Sequence, residues 1–212
     1  LHLASRRQRQ MCIRDSTNEK DAYSAIKYGA DAIGLNQFVK SPRYVDESEL
    51  LKIKRVLSKE ITVVPVFVNP EDEEVYNFLQ IFPNSTLQFH GSETRSFCEK
   101  FNKPYIKSIN VSNISNHENF LRNYESAEQI LLDSGTEQLS GGTGEKFDWN
   151  QIPTNFNNLI IAGGLNPNNI LRLLDYFIPF GVDVCSGVES KKGVKDTTKM
   201  KNFIDFVKKY ER

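Results

Sequence analysis

From Thr17 onward, short runs of β-branched and apolar residues alternate with segments whose apolar residues recur at helical spacing. That alternation restricts the chain to repeated βα units around a parallel sheet. The candidate strands are residues 31–36, 61–68, 86–90, 105–111, 129–133, 158–162 and 182–185. Between them, Val75, Phe78, Leu79 and Phe82, and again Ile170, Leu173, Leu174 and Phe177, fall at i, i+3, i+4 and i+7, the apolar stripe of a helix packed on a sheet. Asn69 before Pro70 and Asn166 before Pro167 predict N-caps ahead of a proline at the first helical position, and Thr17 predicts a cap for the helix holding Ala22, Ala25 and Ile26. A helix beginning at Asn18 requires a strand before it, and residues 1–16 occupy that place. The count then fits a (β/α)8 barrel. An open doubly wound sheet would carry a glycine fingerprint after its first strand, and none lies near Thr17.

Residues 1–16 (LHLASRRQRQMCIRDS) read differently from the rest. They are arginine-rich, start without methionine, and show neither strand alternation nor the apolar centre of a signal peptide. The tract MCIRDS is similar to translated adapter sequence. The expectation is a foreign or damaged segment, a first strand that is atypical or missing, and a single barrel domain over 17–212. If no strand formed there, the barrel would be open and its edges prone to association.

The chain's 212 residues suffice for one domain burying roughly 70% of its unfolded surface. Lysine plus arginine equals aspartate plus glutamate, 27 each, so the basic footprint of a nucleic-acid binder is absent and a small-molecule partner is expected. No apolar run approaches the roughly 20 residues that span a bilayer. Cys12, Cys98 and Cys185 are odd in number and widely spaced, which predicts a reducing, cytoplasmic setting with neither a disulfide framework nor a metal site.

In a barrel, chemistry sits on the loops that follow the strands. Asp133 closes the run Ile130-Leu131-Leu132, where desolvation would favour its acid form, and Gly141-Gly142-Thr143-Gly144 follows with backbone N–H groups suited to phosphate. Gly163-Gly164 and Ser186-Gly187 end the last two predicted strands, a recurrent phosphate position. Arg43, after Lys40-Ser41-Pro42, suits a carboxylate because its guanidinium donates two parallel hydrogen bonds; the alternative is a solvated loop arginine. His90 and Gln88 are read as pocket lining, and Asp183 either faces the pocket or pairs with a neighbouring strand. Cys98 and Cys185 are assigned to packing, Phe147 and Trp149 to the core, and Lys191, Lys192 and Lys195 to the solvated surface.

These residues, in this order, resemble the phosphoribosylanthranilate isomerase family of tryptophan biosynthesis. The tracts are TNEKDA (17–22), GADAIGLN (29–36), KSPRYV (40–45), LQFHG (87–91), LLDSG (131–135), GGTGEKFDW (141–149), AGGLNPNN (162–169) and GVDVCSGVES (181–190). The resemblance implies a cofactor-free (β/α)8 barrel that converts an N-(5-phosphoribosyl)anthranilate aminoaldose to a 1-deoxyribulose ketose; no metal is expected, and the chain is expected to be a monomer or homodimer. It implies that Asp133 is the general acid on the ring oxygen and that Arg43, with Asp183, holds the anthranilate carboxylate beside His90. It places the phosphate on Gly142, Thr143, Gly144, Gly163, Gly164, Ser186 and Gly187.

The family's general base is the cysteine of a first-strand motif Lys-Ile-Cys-Gly-Leu-Thr whose last residue aligns with Thr17. Arg14, Asp15 and Ser16 stand at the Cys, Gly and Leu positions, and a guanidinium is no base. Cys12 lies two residues upstream, on the same face of a strand but displaced by roughly 6.6 Å, a poor substitute. The expectation is an impaired isomerase. A non-catalytic phospho-ligand-binding barrel is the alternative. A sugar-phosphate isomerase of histidine biosynthesis would need a second aspartate from the first strand, and Asp15 should face away if Arg14 faces in.

Overall fold

The computed structural model describes residues 10–110, 121–133, 149–153 and 155–210, and these form a closed barrel in which eight parallel strands pair in sequence order. The strands are β1 (Gln10–Ile13), β2 (Ala32–Asn36), β3 (Thr62–Phe67), β4 (Leu87–Phe89), β5 (Tyr105–Asn110), β6 (Gln129–Asp133), β7 (Leu159–Ile161) and β8 (Gly181–Val184). Around them lie α1 (Glu19–Tyr28), α2 (Glu47–Val56), α3 (Asp72–Ile81), α4 (Arg95–Glu99), α5 (Ile170–Tyr176) and α6 (Thr197–Tyr210). Both faces of each strand are covered, which is why most read as near-continuous apolar runs.

The strand left open by the sequence is present. Gln10 to Ile13 pair with Gly181 to Val184, and Cys12 and Ile13 pair with Ala32 and Ile33, so β1 closes the barrel. Met11 and Ile13 point outward into the core under the helices, while Cys12 packs inside the barrel with Ala32, Val64, Ile106, Leu131 and Ile160. Period-two alternation therefore sends Arg14 inward, one layer above Cys12.

The helix starts correct three cap expectations. Asn18, not Thr17, caps α1, its side chain accepting from the Asp21 N–H; Thr17 instead donates its hydroxyl to the Gly193 carbonyl at 2.6 Å. α3 is capped by Glu71, which forms a capping box with Glu74, and Asn69 adopts φ 47 and accepts from the Ser92 N–H across the barrel rim. α5 begins after Asn169; Asn166 folds its own turn, accepting from the Asn168 N–H. In the last two cases the chain makes one more bend before the helix: Asn69 is drawn to Ser92 in the next loop, whereas Asn166 takes a local N–H group from the backbone. At the other end of α1, Gly29 takes φ 93 and returns two N–H bonds to Ala25 and Ile26, the left-handed C-cap that glycine fits best.

Beyond β8, a 3-10 turn (Ser186–Val188) leads into an antiparallel hairpin of β9 (Glu189–Lys191) and β10 (Val194–Lys195), laid over the ends of β1 and β2. Among the described residues, no helix is long and apolar enough to cross a membrane.

Candidate active site

At the carboxyl ends of the strands, three of the predicted side chains converge on Arg14. Its Nη2 donates to Asp133 Oδ2 at 3.2 Å, its Nη1 lies 3.5 Å from His90 Nε2, and its Nε stands 3.0 Å from Asp183 Oδ2. Asp183 thus faces the pocket. The last contact is ionic only: Arg14 Nε and both Asp183 oxygens are buried with no hydrogen-bond partner. Burial pushes the Asp183 carboxyl up to about 6 despite the cation beside it. Burial, with the Arg14 charge, drives His90 down to about 3, so its imidazole is neutral at neutral pH. Gln88 is in contact with the same ring nitrogen at 2.6 Å.

Arg14 keeps its proton: burial acts against the charge, and the carboxylates of Asp183 and Asp133 overcome it. Cys12 lines a cavity of about 90 Å³ beneath Asp183, with Gln10, Thr62 and Gln129. Burial and then the Asp183 charge push its thiol well above the usual range, so Cys12 is no thiolate base.

Each residue of the tract 14–16 fits poorly in its own way. Arg14 leaves a buried Nε–H without an acceptor, Asp15 sits at φ 60, and Ser16 is fully buried with its hydroxyl unpaired. A small thiol, a glycine and a leucine would relieve the three in turn, and those are the residues the resemblance puts there. Asp15 does face away from Asp133. Its oxygens accept from Asn36 Nδ2 at 3.2 Å and from the Cys185 thiol at 2.9 Å, a partner that packing alone did not foretell.

Arg43 lies in the loop after β2, which folds back so that Val45 N–H donates to the Asn36 carbonyl. Its side chain is buried, not solvated. Nε and Nη2 donate to the two carboxylate oxygens of Glu189, each at 2.9 Å. Lys195, expected on the surface, is buried too: Nζ donates to the Cys185 carbonyl at 3.1 Å and to Glu189 Oε1 at 3.5 Å, while Lys191 and Lys192 are exposed. Burial opposes ionisation of Glu189, but the Arg43 hydrogen bonds and the Lys195 charge outweigh it and hold the carboxyl below its ordinary range. Sequence reasoning missed Glu189, although a carboxylate just past Ser186-Gly187 was a usable signal. It also missed Lys107 and Glu93, a buried pair at 2.7 Å on β5 and the loop after β4.

The glycines of β7 and β8 meet at the same rim. Gly163 and Gly164 take φ 79 and φ 65, and the Gly164 carbonyl accepts from the side chains of Asn166 and Asn169. A Cβ on Gly187 would overlap the Leu165 carbonyl oxygen, so only glycine lets these two loops touch. Ser186 is exposed beside them. Gly142, Thr143, Gly144 and Phe147 lie outside the described residues. Trp149 packs against the core edge with the Arg172 guanidinium 4.9 Å over its ring.

A closed parallel barrel that gathers an acid, a histidine and two glycine loops at its carboxyl rim belongs to the class of small-molecule enzymes built on (β/α)8 folds. The family model for N-(5'-phosphoribosyl)anthranilate (PRA) isomerase matches residues 12–206, and the chain belongs to that family. The chain is 42% identical over 189 residues to the N-(5'-phosphoribosyl)anthranilate isomerase of Nitrosococcus oceani, covering 89% of this chain and 92% of that one. The crystal structure of the enzyme from Thermotoga maritima superposes with a TM-score of 0.80 at 33% identity, covering 95% of this chain and 99% of that one. A further isomerase structure, in complex with reduced 1-(o-carboxyphenylamino)-1-deoxyribulose 5-phosphate, matches at TM-score 0.77 and 32% identity over the same shares.

Proposed function

We propose that this site is built for the Amadori rearrangement of N-(5'-phosphoribosyl)anthranilate and that the chain as it stands is severely impaired in completing it. The observation that carries the reading is the placement of Arg14. Its guanidinium lies where the resemblance puts the base, in contact with the acid Asp133 and with Asp183. Asp133 would protonate the furanose oxygen and open the sugar to a Schiff base. A thiolate at position 14 would then remove the C2 proton. A guanidinium cannot accept that proton, and loss of a general base lowers the rate by about 10² to 10⁴.

In this reading Arg43 and Asp183 hold the ring carboxylate and its surroundings, His90 lines the pocket as a neutral ring, and backbone N–H groups of Gly163, Gly164, Ser186 and Gly187, joined by Gly142, Thr143 and Gly144, take the phosphate. Residues 1–16 stand in for a native first segment and 17–212 carry the rest of a single domain, acting as a monomer or homodimer in the cytoplasm. The reaction needs neither cofactor nor metal. The histidine-pathway alternative loses its footing because Asp15 is turned toward Asn36 and Cys185, not toward Asp133.

The test is a fluorescence titration with reduced 1-(o-carboxyphenylamino)-1-deoxyribulose 5-phosphate, with ribose 5-phosphate as competitor. The isomerase site predicts that the aromatic ligand binds at least about tenfold tighter than the bare sugar phosphate, because one charged hydrogen-bonded contact contributes about that much. Equal affinity for the two would instead identify a general phospho-ligand binder.

A further inference from the structure

The two edges of the Arg43 guanidinium are used unequally. Its Nε–Nη2 edge is filled by Glu189 in a bidentate pair, whereas Nη1 has no partner among the described residues, although the side chain is only 10% exposed. A guanidinium offers a second bidentate edge, Nη1–Nη2, of the same shape. We propose that Glu189 is a positioning residue: it clamps Arg43 from the side so that the free edge is fixed toward an incoming aromatic carboxylate. The inference rests on the reading above that Arg43 receives that group.

The clamp is itself held rigidly. The Glu189 carbonyl accepts from Lys199 Nζ at 2.9 Å, Asp196 N–H donates to the Val188 carbonyl at 2.8 Å, and Thr17 pins the hairpin turn through the Gly193 carbonyl. Lys195, whose side chain is fully buried, stands 3.5 Å from Glu189 Oε1. Asp15 also lies 3.8 Å from Arg43 Nε in this chain, a second carboxylate that a glycine there would remove.

The experiment uses the full chain carrying Arg14→Cys, Asp15→Gly and Ser16→Leu, titrated with reduced 1-(o-carboxyphenylamino)-1-deoxyribulose 5-phosphate and with its counterpart lacking the ring carboxylate. Glu189→Gln and Glu189→Ala should each weaken the carboxylate ligand about tenfold or more while leaving the other within about twofold, because only the former uses the oriented edge. Equal weakening of both ligands, or none, would overturn the proposal in favour of a purely structural glutamate. Tighter binding of the carboxylate ligand would overturn it in favour of a competitor. Arg43→Ala separates the premise from the inference: if that variant does not discriminate between the two ligands from its parent, the carboxylate is held elsewhere and the role of Glu189 falls with it.

Discussion

Two buried charge clusters sit on the same barrel rim and are built to different standards. Around Lys107, every group is answered: Nζ donates to Glu93 Oε2 and to the Gly91 carbonyl, each at 2.7 Å, while Glu93 Oε1 accepts from the N–H groups of Asn69 and Gly91. Tyr124 closes the arrangement by donating to the Glu93 carbonyl. Around Arg14 the charges are close but the hydrogen bonds are incomplete, with three buried polar atoms unpaired. A buried ion pair is stable only when the remaining donors and acceptors are satisfied, so the first cluster is structural. The second gathers the side chains proposed for chemistry around an arginine whose own hydrogen bonds are incomplete.

The contrast is sharpest in a crossed pair of variants of the chain with the Cys-Gly-Leu tract restored. Asp133→Asn should lower turnover by about 10² to 10⁴ in a steady-state assay while leaving the melting temperature in place. Glu93→Gln should do the reverse. The next effect concerns stability alone: Lys107→Met strands the Glu93 carboxylate and should cost about 3 to 5 kcal/mol in urea unfolding, whereas Arg14→Met strands Asp183, whose carboxyl already lies near 6 and takes up a proton more readily, and should cost about 1 to 3 kcal/mol.

A pH series reads the Arg14 cluster more finely. Asp183 moves from an ordinary 3.8 up to about 6, so the folded chain holds a proton that the unfolded chain releases. The stability it contributes, about 3 kcal/mol from a shift of about two pH units, is present below pH 4 and lost as pH rises through 6. His90 moves from 6.5 down to about 3, so its contribution has the opposite sign, present above 6.5 and lost as pH falls through 3. The two slopes oppose each other between about pH 4 and 6. Asp183→Asn leaves His90 unopposed, and stability of that variant should fall on acidification from 6 to 4 more steeply than in its parent. The smallest effect belongs to Asp15→Gly: relief of a positive φ is set against loss of the bonds from Asn36 and Cys185, and the net change should stay within about 1 kcal/mol.

The barrel was legible from sequence wherever a strand is covered on both faces. Because Val, Ile and Leu runs admit little else, β6 falls on residues 129–133 as read, β2, β3 and β8 shift by at most a residue at each end, and β5 starts at 105 as read, its expected last residue, 111, lying outside the described residues. β1 was not legible. It has four residues, one of them Gln10, and its identity rests on pairing with β2 and β8 that no local pattern encodes. The candidate site divides in the same way. Asp133, His90 and Asp183 lie at or within strand ends and could be placed by period-two reasoning. Glu189 and Lys195 reach Arg43 only because a hairpin after β8 folds over the loop after β2, a contact between residues 146 positions apart for the Arg43–Glu189 pair. The proline caps misled because Asn69 is held by Ser92 across the rim and Asn166 by a turn bond that depends on the exact loop path.

The most direct measurement is turnover of freshly generated N-(5'-phosphoribosyl)anthranilate by this chain and by the same chain carrying Arg14→Cys, Asp15→Gly and Ser16→Leu. A guanidinium in place of the base predicts that the restored chain is faster by about 10² or more, with Arg14→Cys the change that matters most. Equal turnover by the two chains would contradict the account, since it would mean that Arg14 does not occupy the position from which the C2 proton is taken.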